Sequence, residues 1–368
     1  MLYDFSVIIC TYTEKRWHEI TAAVASVRQQ TLPASEIIVV VDHNAQLLRR
    51  VQEQVRGVVA VENTGAVGLS GARNSGLMAA KGSFVAFLDD DAMAASNWLM
   101  GLSAAFADPD VLGAGGPVLP NWQMQGVTWM PEEFLWVVGC TYRGMPETSC
   151  IIRNPIGANM AFRREVFDTI GGFQEHIGRI GTRPLGCEET ELCIRARQYW
   201  PTRSFLYQPQ APVFHYVPAT RTRWRYFFSR CYSEGLSKAF ISRYVGVQDS
   251  LASERAYTLK VLPLGVLRAL RDAFVHRDRI GLMRAWAICS GLATTATGYL
   301  LGRFYMLTAK PETVVVKEVV VVKNVAHSGS ATPQLRNDQE QAQDYIESTE
   351  LPEQVSRMQS SEQFVSMG

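Results

Sequence analysis

The amino-acid sequence predicts an α/β protein with a Rossmann-like, mixed but mainly parallel sheet and flanking helices, and three observations carry that expectation. Short β-branched runs alternate with helix-spaced segments through the first ~120 residues, as in βαβ units. A polar or acidic cluster follows the ends of these apolar runs. With 368 residues, 47% hydrophobic and 19% charged, the chain can build a substantial core and is no short cross-linked scaffold.

Strands are expected over residues 5–10, 36–41, 58–61 and 83–88, each a compact apolar or β-branched run. Between them, residues 17–30, 45–56 and 69–80 combine helical spacing with good helix formers. Right-handed crossovers would bring the strand carboxyl ends to one sheet edge, where open α/β folds bind ligands. Residues 110–215 are less regular, with strands expected near 111–114, 159–162, 204–207 and 213–216 and a helix from Glu188 to about Tyr199, before Pro201. Residues 1–220 are thus expected to form one domain with two halves, about 1–115 and about 116–220.

Charge is distributed unevenly behind a formal net of +1. Residues 1–220 hold 17 basic and 21 acidic side chains, 221–284 hold 13 and 5, and 310–368 hold 5 and 9. The basic block, interleaved with Trp224, Tyr226, Phe227, Phe228 and Tyr232, suits an anionic lipid surface or a phosphate-bearing acceptor, and no nucleic-acid partner is expected. Residues 221–307 are therefore expected as membrane-associating helices. Within them, 285–302 is free of formal charge and long enough to span, but Ser290, Thr294, Thr295 and Thr297 leave interfacial burial or a buried soluble helix as alternatives. Residues 308–368 are expected to be a mostly disordered tail. Seven cysteines without a C-x-x-C pair favour reduced thiols rather than a zinc site, and the first ten residues lack the basic leader of a cleaved signal. A cytoplasmic compartment follows as the expectation.

The strongest chemical signal is Phe87-Leu88-Asp89-Asp90-Asp91. Three adjacent carboxylates repel and need a cation or donors in a folded site; Mn2+ or Mg2+ bridging to a diphosphate would supply both compensation and leaving-group neutralisation. Asp42, after the second strand, is placed to accept from a base or ribose. Gly68-Leu69-Ser70-Gly71-Ala72-Arg73-Asn74 opens a helix whose amino end favours anions, and Arg73 could bind a base carbonyl or a phosphate. Asn159 is a further polar candidate for the donor sugar, and Trp122, Trp129, Trp136 and Tyr142 could stack on an acceptor or pack in the core.

Together with Ser6-Val7-Ile8-Ile9-Cys10-Thr11-Tyr12, Gly71-Ala72-Arg73-Asn74, Trp98-Leu99 and Gly186-Cys187-Glu188-Glu189-Thr190-Glu191-Leu192, these residues resemble glycosyltransferase family 2 over about residues 4–245. The resemblance implies a GT-A fold, a nucleotide-sugar donor and inversion at the anomeric carbon. It implies nucleotide contacts from Thr11, Tyr12, Glu14, Asp42, Arg73, Asp89 and Asp90, and metal ligation by Asp91 and by His215, the family's late histidine. Val39 to Asn44, Gly139 to Gly144 and Arg183 to Glu189 are similar to a subgroup labelled glucosyl-dolichyl-phosphate glucuronosyltransferase, which implies UDP-glucuronate and a polyprenyl-phosphate-linked sugar acceptor at the cytoplasmic membrane face.

In the family the base is the second residue of a Glu-Asp pair, here Glu188-Glu189, so Glu189 is expected in that role with Glu188 and Glu191 as rivals. On a helix Glu188 and Glu191 share a face and Glu189 points ~100° away. A nucleotidyltransferase would use a similar sheet, but residues 11–16 lack its glycine-rich loop; a non-catalytic membrane scaffold is the other alternative. The oligomeric state stays open.

Overall fold

Phe5–Thr11 (β1) is apolar towards both sides, with Phe5, Val7, Ile8 and Ile9 all buried, which only a central strand covered on two faces can satisfy. The structure, a computed structural model, describes residues 3–124, 127–175, 177–179, 186–245 and 255–308. The expected disordered tail and the Arg183-Pro184-Leu185 part of the family motif lie outside the described residues. Residues Met1–Lys310 form one unit.

Beside β1 run Glu36–Val41 (β2) and Phe84–Asp89 (β4), both parallel to it, and Val59–Glu62 (β3) extends the sheet beyond β2. Asn159–Arg163 (β9) then pairs antiparallel with β4 and with Val111–Gly115 (β6). Ser204–Tyr207 (β10) and Cys150–Ile152 (β8) complete an eight-stranded sheet in the order β3-β2-β1-β4-β9-β6-β10-β8. It is the mixed but mainly parallel sheet expected, with strand limits within one residue of those read from the sequence for the first four strands.

Trp17–Arg28 (α1), Ala45–Gln54 (α2) and Leu69–Ala79 (α3) make the crossovers. Ile20, Ala23, Val24 and Val27 put the buried stripe of α1 onto the sheet at helical spacing. Trp98–Ala105 (α4) and Arg164–Ile170 (α5) flank the later strands. In register, Cys10 lies beside Asp89 and Thr11 beside Val41, so the polar clusters share one edge.

A second sheet was not legible beforehand: Ala92–Ala94 (β5), Val213–Val217 (β11) and Val118–Trp122 (β7), in the order β5-β11-β7. Its register sets His215 opposite Ala92, one residue after the acidic run.

Glu188–Tyr199 (α6) begins after Cys187, which has a φ of 75°. For a residue with a Cβ this left-handed conformation costs about 1–2 kcal/mol, and it turns the chain so that three glutamates occupy the first helical turn. Trp224–Val245 (α7), Leu262–Phe274 (α8) and Ile280–Thr308 (α9) follow. Helices α7 and α9 approach closely because Gly235 and Gly298 lack side chains; a Cβ on Gly235 would lie 2.1 Å from the Thr295 carbonyl oxygen, and one on Gly298 2.2 Å from that of Tyr232. Trp129 stacks on Trp224 at 3.8 Å, which ties the irregular middle section to α7.

Among the described residues no helix is long and apolar enough to cross a membrane, so the spanning alternative for 285–302 is set aside. Those residues are the middle of α9. Ser290, Thr294, Thr295 and Thr297 donate to carbonyls four residues earlier.

Candidate active site

The end of β4 and the middle of β11 build the most unusual group in the protein. Asp89, Asp91 and His215 each offer a ligand atom, and these atoms lie within 4.8 Å of one another. His215 Nε2 stands 3.1 Å from Asp91 Oδ1, and Arg16 and Arg221 each come within 3.3 Å of Asp91 Oδ2. Burial works against charge on Asp91, yet His215, Arg16 and Arg221 together hold its carboxyl below the ordinary range. Burial likewise opposes charge on His215, but Asp91 outweighs it and raises the imidazole to about 10. Two carboxylates and one imidazole so close together suit a divalent cation, which would replace the proton on His215 as Asp91's partner.

Asp90 is not part of that group and accepts from Arg16 at 2.6 Å, the same guanidinium nitrogen that lies 3.3 Å from Asp91. Its burial raises it to about 6 in spite of that cation. Arginines thus border all three acids, and it is Asp89 and Asp91 that share a group with the histidine. Asp89, grouped with nucleotide contacts on the sequence, stands here beside the metal candidates.

Arg73, 2% exposed, links the acids to the glutamate helix. It donates to Glu188 at 2.7 Å and to the Gly157 carbonyl at 3.1 Å, lies 3.6 Å from Asp89, and sits over the rings of Phe87 and Phe173. A guanidinium buried this deeply needs such compensation. Glu191 is engaged by both oxygens with Arg195, at 2.7 and 2.9 Å, and is not among the residues bordering the cavity described below. Glu189 does border it; burial first, and then neighbouring Glu188, raise its carboxyl to about 8.

The remaining predicted nucleotide contacts gather at the β1 and β2 ends. Thr11 is buried, Tyr12 is exposed with Arg16 over its ring, and Glu14 lies half-buried in the short 3-10 turn Glu14–Arg16. Asp42 accepts from Asn63 at 2.6 Å and from the Gly68 amide at 2.9 Å, so it shapes the loop that opens α3 as well as facing the β2 end.

A cavity of about 960 Å³ adjoins this group, bordered by Arg73, Asp89, His215, Glu188 and Glu189 on one side and by Trp136, Tyr142 and the π-helical turn Tyr257–Val261 on another. Asn159 takes no part. It is fully buried, accepts from Trp98 Nε1 at 2.7 Å and donates to the carbonyls of Pro117 and Ala211, so its side chain joins three segments instead of meeting a sugar. Burial pushes the Cys10 thiol up to about 12 and the Cys187 thiol well up, which removes both as ready nucleophiles.

Sequence reasoning missed Arg16 and Arg221. Arg16 follows closely on the Thr11 cluster and could have been found there, whereas Arg221 carries no local signal and reaches Asp91 only through the turn after β11.

Comparison with known proteins gives the family. The family model described as Glycosyl transferase family 2 matches residues 6–171. The chain is 32% identical over 302 residues to the glucosyl-dolichyl phosphate glucuronosyltransferase of Haloferax volcanii, covering 81% of this chain and 95% of that protein. It is 25% identical to the O-antigen chain rhamnosyltransferase WbaN of Salmonella anatum, over 77% of this chain and 90% of the other. In fold it is similar to the mannosyltransferase PcManGT from Pyrobaculum calidifontis, solved in complex with GDP-Man and Mn2+, with a TM-score of 0.52, 19% identity, and coverage of 82% and 88%. These likenesses set aside the nucleotidyltransferase and scaffold alternatives: the protein has the GT-A fold and is a glycosyltransferase that belongs to family 2.

Proposed function

We propose that the enzyme moves glucuronic acid from UDP-glucuronate to a polyprenyl-phosphate-linked sugar, with inversion, at the cytoplasmic face of the membrane. The observation that carries this is the shared cavity wall: Asp89 and His215 of the metal group stand with Glu188 and Glu189 around one space. A donor diphosphate and an acceptor hydroxyl can meet only where both sets of groups face the same volume. The sugar and the acceptor class come from the Haloferax volcanii relative.

In this mechanism Glu189 takes the proton from the acceptor hydroxyl. The hydroxyl oxygen bonds to the anomeric carbon as the bond from that carbon to the diphosphate oxygen breaks, and UDP departs with the electron pair. Raised basicity suits Glu189 to that task, because Arg73 already engages Glu188 and Arg195 engages Glu191. Asp89, Asp91 and His215 would hold the divalent ion, which would take up charge developing on the leaving diphosphate. The imidazole in that set favours Mn2+ over Mg2+, which prefers oxygen ligands alone. Thr11, Tyr12, Glu14 and Asp42 would meet the nucleoside.

The test is UDP release from UDP-glucuronate with a polyprenyl-phosphate glucose acceptor, with Mn2+, with Mg2+, and with chelator. Transfer that depends on acceptor and metal and yields the inverted linkage supports the proposal. Full activity in chelator, or turnover only with other sugar nucleotides, overturns it in the corresponding part.

A further inference from the structure

Helices α8 and α9 carry apolar residues on both of their sides. On α8, Gly265 and Ala269 are buried inward, while Leu264, Leu267, Phe274 and Val275 are each more than half exposed. At ~100° per residue these four fall within an arc of about 100°, with Arg271 inside the same arc. Helix α9 repeats the arrangement: Ala287 and Ile288 are buried, whereas Trp286, Leu300 and Phe304 are more than half exposed. A helix at a water-facing surface shows one apolar stripe and one polar face, so an outer apolar stripe of this extent calls for a second apolar medium.

Charge identifies that medium. Residues 259–304 contain seven Lys or Arg and only two acids, Asp272 and Asp278, both of which lie within 4 Å of Arg284. Arg271, Arg277 and Arg279 stand exposed beside the apolar stripe. Such a rim suits anionic headgroups, with the leucines and aromatics below them. A second copy of the chain suits it poorly, because a two-fold contact places the same patch on both partners and sets arginine against arginine. The cavity reaches exposed residues of these same elements: Leu259, 75% exposed, in the turn that leads into α8, and Ala296 of α9 both border it.

We propose that the outer face of α8 and α9 docks the enzyme on an anionic bilayer without spanning it, and that the acceptor enters the cavity from that face. The second half rests on the lipid-linked acceptor proposed above; the first does not. The docking half is tested by flotation of the full chain with vesicles of phosphatidylcholine alone or mixed with phosphatidylglycerol, without donor or metal. The parent chain is expected to float with the anionic vesicles and to be released by high salt. Leu264→Glu with Leu267→Glu should lower partitioning at least about tenfold. Neutralising Arg271, Arg277 and Arg279 to Gln should lower it roughly fivefold for each arginine, on anionic vesicles only.

None of these side chains borders the cavity, so UDP binding should be unchanged and serves as the folding control. Should a variant fail that control, quenching of Trp286 by brominated lipid, read as the difference between the parent and Trp286→Phe, reports the same contact without disturbing α8. Absence of flotation and of quenching overturns the proposal. So does equal flotation on neutral vesicles, or a dimer in light scattering that the double glutamate variant abolishes. For the entry half, the double glutamate variant should raise KM for the lipid-linked acceptor and leave KM for a water-soluble acceptor alone; an equal rise for both overturns it. Flotation as expected with no transfer from any sugar nucleotide upholds the docking face and counts against the proposed substrates.

Discussion

Replacing Glu189 by glutamine tests the assigned base in two independent ways. The carboxyl stands at about 8 because burial and then Glu188 disfavour its charge. In the free enzyme at pH 7 roughly a tenth of it is ionised, so kcat/KM should rise about tenfold between pH 7 and pH 9 and fall tenfold per unit below pH 7. Glu189→Gln should remove this limb and lower the rate by about 10²–10⁴. Metal occupancy must be held constant, since an ion bound at His215 would displace its proton; rates unchanged on doubling Mn2+ establish that. Stability moves the opposite way. A carboxyl raised above its ordinary 4.5 binds its proton more tightly folded than unfolded, so its contribution is favourable at low pH and is lost as pH climbs from 4.5 to about 8. In a sealed site the loss would approach roughly 5 kcal/mol. Glu189 borders an open cavity, whose water screens it, and about half that is expected. Glutamine, which does not ionise, should therefore unfold at higher denaturant than the parent at pH 8, with little difference at pH 5. A variant that keeps the pH limb, or a parent profile flat from pH 6 to 9, would refute the base assignment.

Asp91→Ala and His215→Ala should each weaken Mn2+ binding by more than about 100-fold, measured calorimetrically without donor. Arg73→Leu leaves Glu188 without its buried partner and should cost about 3–5 kcal/mol in denaturant unfolding, in addition to activity. Asn159→Ala should cost about 1–3 kcal/mol of stability and leave KM for the donor within twofold or so, because its amide joins segments and meets no ligand. Gly298→Ala should destabilise by roughly 1–3 kcal/mol in thermal melts, as its Cβ would meet the Tyr232 carbonyl.

Much of the region from β1 to β4 was legible from residues alone. An apolar run that ends in acids, as at Phe87 to Asp91, states both the strand and the polar edge, because alternation and burial are local properties of the backbone. The same holds for β1 with Thr11 and for β2 with Asp42, whose parallel orientation follows from the helical crossover between them. Helix α6 was legible as well, and so was the presence of three candidate glutamates in its first turn.

The partner of Glu188 was decided at a distance: Arg73, 115 positions away, engages it. His215 reaches Asp91 because β11 pairs with β5 in a second sheet for which no local pattern exists. Arg221 arrives by the same route, and Asn159 is withdrawn from the site by bonds to Trp98, Pro117 and Ala211. The physical reason is common to all of these. Periodicity and composition act over a few residues and determine which side chains share a strand end or a helix turn. The partner of a buried charge is chosen by packing between segments far apart in the chain, where burial forbids leaving it alone.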